Sequence, residues 1–124
     1  MKKLGEAEFE IMKILWGCQE PATSNQILDG LHNSRDWKLS SLMTALSRLA
    51  HKGFVSCDRS TRTNYYTAVI TQEEYSLSES RNFLERLYDN SVQKLVASLY
   101  HSNSISKEDL EELRAYLDDQ EEQA

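Results

Sequence analysis

Between Lys38 and Gly53 the chain reads KLSSLMTALSRLAHKG, and Leu39, Leu42, Leu46 and Leu49 recur at i, i+3, i+7 and i+10. That spacing confines the segment to an amphipathic helix with one apolar stripe turned toward a core. Gly53, able to take a positive φ, supplies its stop. The other side carries Ser40, Met43, Thr44, Ser47 and His51 at i, i+3, i+4, i+7 and i+11, flanked by Ser41, Arg48 and Lys52. No carboxylate occurs from Lys38 to Lys52. An ordinary solvated helix face mixes Glu with Lys to gain i,i+4 pairs. A face without acid suits close approach to phosphates and base edges, with small hydroxyls letting the helix sit deep in a major groove and Met43 covering a thymine methyl.

Two further helices precede this one. In LGEAEFEIMKILWG the apolar residues Phe9, Met12, Leu15 and Trp16 describe an amphipathic helix stopped by Gly17. Pro21 marks a short extended link. Ser24 is expected to cap a second, shorter helix with Ile27, Leu28 and Leu31 inward, ended by Asn33-Ser34. After Gly53, residues 54–58 (FVSCD) and 64–69 (NYYTAV) are strand-prone and are joined by Arg59-Ser60-Thr61-Arg62-Thr63. A hairpin with arginines at its tip, directly after a polar basic helix, predicts a winged helix-turn-helix, the tip lying along a backbone or minor groove.

Charge is unevenly distributed along the chain. The net charge is −6, yet residues 1–70 carry nine Lys and Arg against seven Asp and Glu, and residues 71–124 carry five against thirteen. Residues 35–62 alone carry six cations (Arg35, Lys38, Arg48, Lys52, Arg59, Arg62) against Asp36 and Asp58. Screening acts over about 8 Å at physiological salt, so a polyanion meets the local patch rather than the distant acidic tail.

The second half has its own pattern. Thr71-Gln72-Glu73-Glu74 fits a capping box, and Ser106-Lys107-Glu108-Asp109 signals another helix start. Between them Leu84, Tyr88, Val92, Leu95 and Leu99 step by 4, 4, 3 and 4, widened by Phe83, Leu87 and Val96. Leu110, Leu113 and Leu117 continue the apolar face in the last helix. Two such helices make a poor core alone and must cover their stripes with the first half or another chain. A symmetric homodimer is the expectation, with dimer contacts from Leu84, Leu87, Tyr88, Val92, Leu95, Leu99, Leu110, Leu113 and Leu117. Two-fold pairing also lets a small reader grip two half-sites about 10 bp apart. The expected organisation is therefore mainly α with a small β-wing: residues 1–70 a winged-helix DNA-binding domain, residues 71–124 a helical dimerisation domain.

Other function classes find little support. His32, His51 and His101 are isolated, and no HExxH, Gly-rich phosphate loop or nucleophile motif occurs, so no enzyme and no cofactor are expected. Cys18 and Cys57 form neither a disulfide framework nor a zinc quartet, and read as reduced thiols of a cytoplasmic protein without a metal. The opening MKKLGEAEFEI has no apolar stretch behind its lysines, unlike a secretory signal, and no run approaches the length of a membrane span. The same residues also admit a winged-helix protein-interaction module without sequence-specific DNA binding, with the acidic second half as its working surface.

Ala7-Glu8-Phe9-Glu10-Ile11-Met12-Lys13-Ile14-Leu15-Trp16, followed by Trp37, Leu46-Ser47-Arg48-Leu49, Lys52-Gly53-Phe54, Tyr66 and the late EELRAYL, resembles the penicillinase repressor family. The family includes the methicillin-resistance and copper-transport repressors of bacteria. The resemblance implies a dimeric winged-helix repressor on a palindromic operator, controlling a resistance or stress-related operon. Lys38, Arg48, Arg59 and Arg62 would then hold phosphates, while Ser40, Ser41, Met43, Thr44 and Ser47 approach base edges of double-stranded DNA. Two departures bear on this. The wing tip has Ser60-Thr61-Arg62 where many relatives show Gly-Arg, and no Cys follows Cys57, which excludes copper sensing by a C-terminal cysteine cluster. The penicillinase branch further implies an inactivating protease as partner, cutting near Ser98-Leu99, where the Asn-Phe pair of that branch is missing.

Overall fold

The computed structural model describes residues 1–33 and 36–124. Ser34, expected at the end of the second helix, and Arg35, one of the cations in the basic stretch, lie outside the described residues. The order of elements is α1 (Glu6–Trp16), α2 (Ser24–Leu31), α3 (Leu39–His51), β1 (Val55–Asp58), β2 (Tyr65–Ala68), α4 (Gln72–Tyr88), α5 (Val92–His101) and α6 (Lys107–Gln123). The chain divides into two compact units, Met1–Glu79 and Ser80–Ala124. Among the described residues no helix is long and apolar enough to cross a membrane.

The first unit is a winged helix. Its core joins Ile11, Met12 and Leu15 of α1, Ile27 and Leu31 of α2, and Leu42, Leu46 and Leu49 of α3, closed by Trp37, Phe54, Val55 and Tyr66. Burying each large apolar side chain contributes about 1.5–3 kcal/mol, which is why three short helices hold together here. The inner line of α1 runs through Glu8, Ile11, Met12 and Leu15, at i, i+3, i+4 and i+7. Phe9 is consequently exposed and Trp16 half-buried, one step off the line that their hydrophobicity suggested. Leu39 departs similarly. As the first residue of α3 it lies ahead of the packed turns and is 46% exposed, and Ala45 fills out the stripe instead.

Caps set the helix boundaries. The N-cap of α2 is Thr23, not Ser24: its Oγ1 accepts from the Gln26 N–H at 3.2 Å, while Gln26 Oε1 accepts from the Thr23 N–H at 2.9 Å. The Gln at N3 selects Thr23, because a capping box needs its partner three residues on. At the other end of α3, Gly53 has φ +83°, a conformation open to glycine at little cost. It turns the chain from helix into β1.

β1 and β2 pair antiparallel, with Val55 opposite Ala68, Cys57 opposite Tyr66 and Asp58 opposite Tyr65. Each strand is shorter than its apolar run suggested. Ala22, just after Pro21, bridges to Tyr66 through two backbone hydrogen bonds of 3.0 and 2.8 Å, so the extended link adds a one-residue third strand. Val55 and Tyr66 are buried while Ser56, Asp58, Tyr65 and Thr67 face water, the alternation of a sheet covered on one side.

The first turns of α4 belong to this unit. Thr71 and Glu74 close the expected capping box with bonds of 3.1 and 3.2 Å. Tyr75 is 5% exposed, and its ring lies 5.8–6.1 Å from those of Phe9, Trp16 and Phe54. Its hydroxyl accepts from the Leu4 N–H at 2.9 Å and donates to Glu79 Oε1 at 3.0 Å. Trp16 Nε1 donates to the Ile70 carbonyl at 2.9 Å, fastening the chain just ahead of α4.

The second unit contains the end of α4 with α5 and α6. The apolar steps from Leu84 to Leu99 do not run along one helix. Asp89 and Asn90 both take positive φ, 51° and 63°, and the Asn90 N–H bonds back to the Leu84 carbonyl at 3.0 Å. Asp and Asn tolerate this left-handed conformation, so the pair ends α4, and Ser91 caps α5 by accepting from the Lys94 N–H. The second half is therefore three helical pieces where a stripe at helical spacing suggested two. Ser106 and Asp109 complete the predicted capping box of α6.

Candidate nucleic-acid interface

Four buried residues, Leu42, Ala45, Leu46 and Leu49, fix the rotation of α3. Everything one or two positions away turns to solvent. Ser40, Ser41, Met43, Thr44, Ser47 and Arg48 are all exposed along the helix, as are Lys38 at its N-cap and His51 at its end. Met43 is 39% exposed, an accessible apolar contact amid hydroxyls. Thr44 Oγ1 donates to the Ser40 carbonyl at 3.1 Å, one turn back, which orients the hydroxyl. The carboxylate-free segment is thus displayed as one face, and the sheet begins directly behind its C-terminus at Val55.

Arg59 and Arg62 are exposed in the turn between the strands. Two local bonds shape that turn: Asp58 Oδ1 accepts from the Ser60 N–H at 2.9 Å, and Thr61 Oγ1 donates to the Thr63 carbonyl at 2.7 Å. The bonds from Ser60, side chain and backbone, hold the Asp58 carboxyl below its ordinary range. The Cys57 side chain, first as hydrogen-bond partner and then through its charge, raises Arg59 further above its already high value. Burial, and after it Cys57, pushes up the Tyr66 hydroxyl across the strand pair. Arg59 is therefore an exposed, permanent cation at the end of β1, with Arg62 further along the turn.

Lys52 behaves differently from its neighbours. It flanks the polar face in sequence, but its Nζ donates to both oxygens of Glu8 on α1, at 2.7 and 2.8 Å. Glu8 Oε1 also accepts from the Gly5 N–H at 2.9 Å, ahead of α1. Burial works to raise the Glu8 carboxyl, yet the bonds from Lys52 and Gly5 and the charges of Lys52 and Arg48 outweigh it and lower its pKa. This contact was not foreseen from the sequence. The available signal was a carboxylate at the first position of the apolar line 8, 11, 12, 15, where a buried acid requires a cation.

In the second unit every residue expected at a dimer contact is exposed or half-buried. Leu87, Val92, Leu113 and Leu117 are 53%, 60%, 39% and 51% exposed, and Leu84, Tyr88, Leu95, Leu99 and Leu110 are half-buried. No residue from Ser80 to Ala124 is fully buried.

Comparisons with known proteins agree with this geometry. The sequence model of the family described as penicillinase repressor matches residues 4–119. The chain is 27% identical over 115 residues to the methicillin resistance regulatory protein MecI of Mammaliicoccus sciuri, covering 93% of each. It is 28% identical over 122 residues to the penicillinase repressor of Bacillus licheniformis, covering 96% of this chain and 94% of that one. Among solved structures it is similar to the DNA-binding domain of the repressor BlaI, with TM-score 0.52 and 29% identity over 60% of this chain and 94% of that one. It is also similar to the monomeric form of Bacillus licheniformis BlaI in complex with the blaP half-operator. There the TM-score is 0.51 and the identity 27%, over 60% of this chain and 89% of that one.

Proposed function

The chain belongs to the penicillinase repressor family, and on that premise we propose that it is a dimeric transcriptional repressor that seats α3 in the major groove of a palindromic operator and lays its wing along the flanking backbone. The observation that carries this reading is the exposed face of α3, free of carboxylates from Lys38 to His51 and followed at once by a hairpin bearing Arg59 and Arg62. Lys38, Arg48, Arg59 and Arg62 hold phosphates. Ser40, Ser41, Met43, Thr44 and Ser47 meet base edges, where short hydroxyls donate or accept and Met43 covers a thymine methyl.

The second unit supplies the two-fold partner. A unit that buries none of its residues fully, with Leu87, Val92, Leu113 and Leu117 open to water, is supported as a dimerisation module because a second copy would cover those side chains. Dimerisation then couples two half-sites, and occupancy of the operator blocks transcription. Release by proteolysis near Ser98-Leu99 would act within α5 (Val92–His101), so the helix would have to open locally before a protease could take it.

The test is a titration of labelled duplex from upstream of the protein's own gene, beside a shuffled duplex, at 50 and 200 mM salt. Neutralising about 6–10 phosphates per dimer predicts a loss of about 10³–10⁵ in affinity between those salts. Preference for the native duplex with that steep dependence supports a sequence-reading, autoregulating repressor. Binding to no duplex, even at low salt, would move the assignment to a protein-interaction module.

A further inference from the structure

We propose that Glu8 is a specificity-setting residue: it withholds Lys52 from the phosphate backbone and holds the end of α3 against α1. The inference rests on the DNA-binding reading above and concerns a residue that does not touch DNA. Glu8 is 9% exposed, on the inner line of α1 otherwise made of Ile11, Met12 and Leu15. Its two oxygens take both short bonds from Lys52 Nζ, whose side chain is 25% exposed, and Oε1 takes the Gly5 N–H as well. Arg48, one turn earlier on α3, adds its charge to the same carboxylate but stays exposed on the DNA side.

The physical consequence follows from how proteins bind a polyanion. Sequence-independent affinity comes from cations that displace counterions condensed on the duplex. A lysine already neutralised by a protein carboxylate displaces little, so the bridge removes one cation per protomer from that general attraction. What matters for a repressor is the ratio of specific to general binding, because competing sites far outnumber the operator. The bridge acts on the other side of that ratio too. Base readout depends on how α3 lies, and the bridge ties the last turn of α3 to the first turn of α1. General binding has no such geometric demand. Glu8 therefore lowers affinity for any duplex while protecting affinity for the right one.

The experiment uses the full chain, a duplex selected by the wild-type protein from a random pool, and a shuffled duplex, each titrated from 50 to 200 mM salt. Glu8→Gln keeps the shape and an acceptor for Gly5 but removes the charge. Its shuffled-duplex affinity should rise at low salt, with the salt slope steeper by about 0.9 per protomer. Over a fourfold salt change that is about a 3.5-fold difference per protomer. The selected duplex should gain less, so selectivity falls, and E8Q combined with K52Q should return the shuffled-duplex slope to wild type. Wild-type values for E8Q on the shuffled duplex would overturn the withholding of Lys52. Equal gains on both duplexes would overturn the positioning role. K52Q alone is the second measurement, independent of any loss of fold in E8Q: a wild-type salt slope supports the inference, and a slope shallower by about 0.9 per protomer overturns it. Wild-type protein that selects no duplex overturns the repressor reading itself, an outcome distinct from all of these.

Discussion

Tyr75→Phe separates what the ring of Tyr75 contributes from what its hydroxyl contributes. The ring sits against Phe9, Trp16 and Phe54, and Phe keeps those contacts, each aromatic pair worth about 0.5–1.5 kcal/mol beyond burial. The hydroxyl is the acceptor for the Leu4 N–H at 2.9 Å, a buried bond, and Leu4 itself is 6% exposed. Removing it strands a buried donor, which costs about 1–3 kcal/mol. Glu79, the hydroxyl's other partner, is only half-buried and can turn to water. The net expectation is a loss of about 2 kcal/mol, against about 3–5 kcal/mol for Tyr75→Ala, which also empties the aromatic cluster. Urea unfolding followed by tryptophan fluorescence reads this directly, because Trp16 and Trp37 both belong to the Met1–Glu79 unit. At constant protein concentration and a slope near 2 kcal/mol per molar, the midpoint should fall by about 1 M for Tyr75→Phe with the slope unchanged. A loss below about 0.5 kcal/mol would refute the claim that the hydroxyl satisfies an otherwise stranded N–H. A loss equal to that of Tyr75→Ala would refute the division between ring and hydroxyl.

Four other outcomes are expected. Arg48→Ala should make the salt slope of operator binding shallower by about one unit per contact while sedimentation still reports a dimer; an unchanged slope removes Arg48 from the phosphate set. Gly53→Ala should cost about 1–2 kcal/mol in thermal unfolding purely from its left-handed backbone, since an added Cβ meets nothing within 4 Å, and Gly53→Asn should cost less. Glu8 has a folded-state pKa below its ordinary 4.5, so its stabilisation is complete above that value and drains away as pH falls through the folded pKa. Stability measured below pH 4.5 should accordingly fall more steeply for wild type than for Glu8→Gln, and parallel curves would contradict the bridge. Leu87→Glu, at a position 53% exposed in the single chain, should yield monomers by sedimentation with the tryptophan spectrum unaltered; a persisting dimer would exclude Leu87 from the interface.

The bridge and the clamp of Tyr75 share a logic. Both anchor a later element, the end of α3 or the root of α4, to the start of the chain through one buried polar group. Glu8 meets Lys52 across 44 residues of sequence, and Tyr75 meets Leu4 across 71. Each pairing satisfies a group whose burial would otherwise be costly, so each constrains geometry more firmly than a surface ion pair could.

Periodicity and caps made most of the elements legible without coordinates. The leucine spacing of α3 determined which side of that helix faces water, and hence that Ser40, Met43, Thr44, Ser47 and Arg48 stand on its exposed face, because helical rotation is a local property. Gly53, the Thr71–Glu74 box and the Ser106–Asp109 box act through bonds reaching no more than a turn, so their residues announced the boundaries. Local bonds also decided two of the boundaries misjudged from sequence: Gln26 selects Thr23 over Ser24, and the paired left-handed Asp89 and Asn90 interrupt a stripe whose spacing alone looked continuous. What lay beyond the sequence was partnership across distance. That Phe9 turns outward while Glu8 turns in depends on where α3 delivers Lys52, and that Ala22 becomes a strand depends on Tyr66 arriving beside it. Composition specifies which groups need partners when buried; only the tertiary structure decides which partner reaches them, because that choice depends on the packing of the whole unit rather than on any one turn of chain.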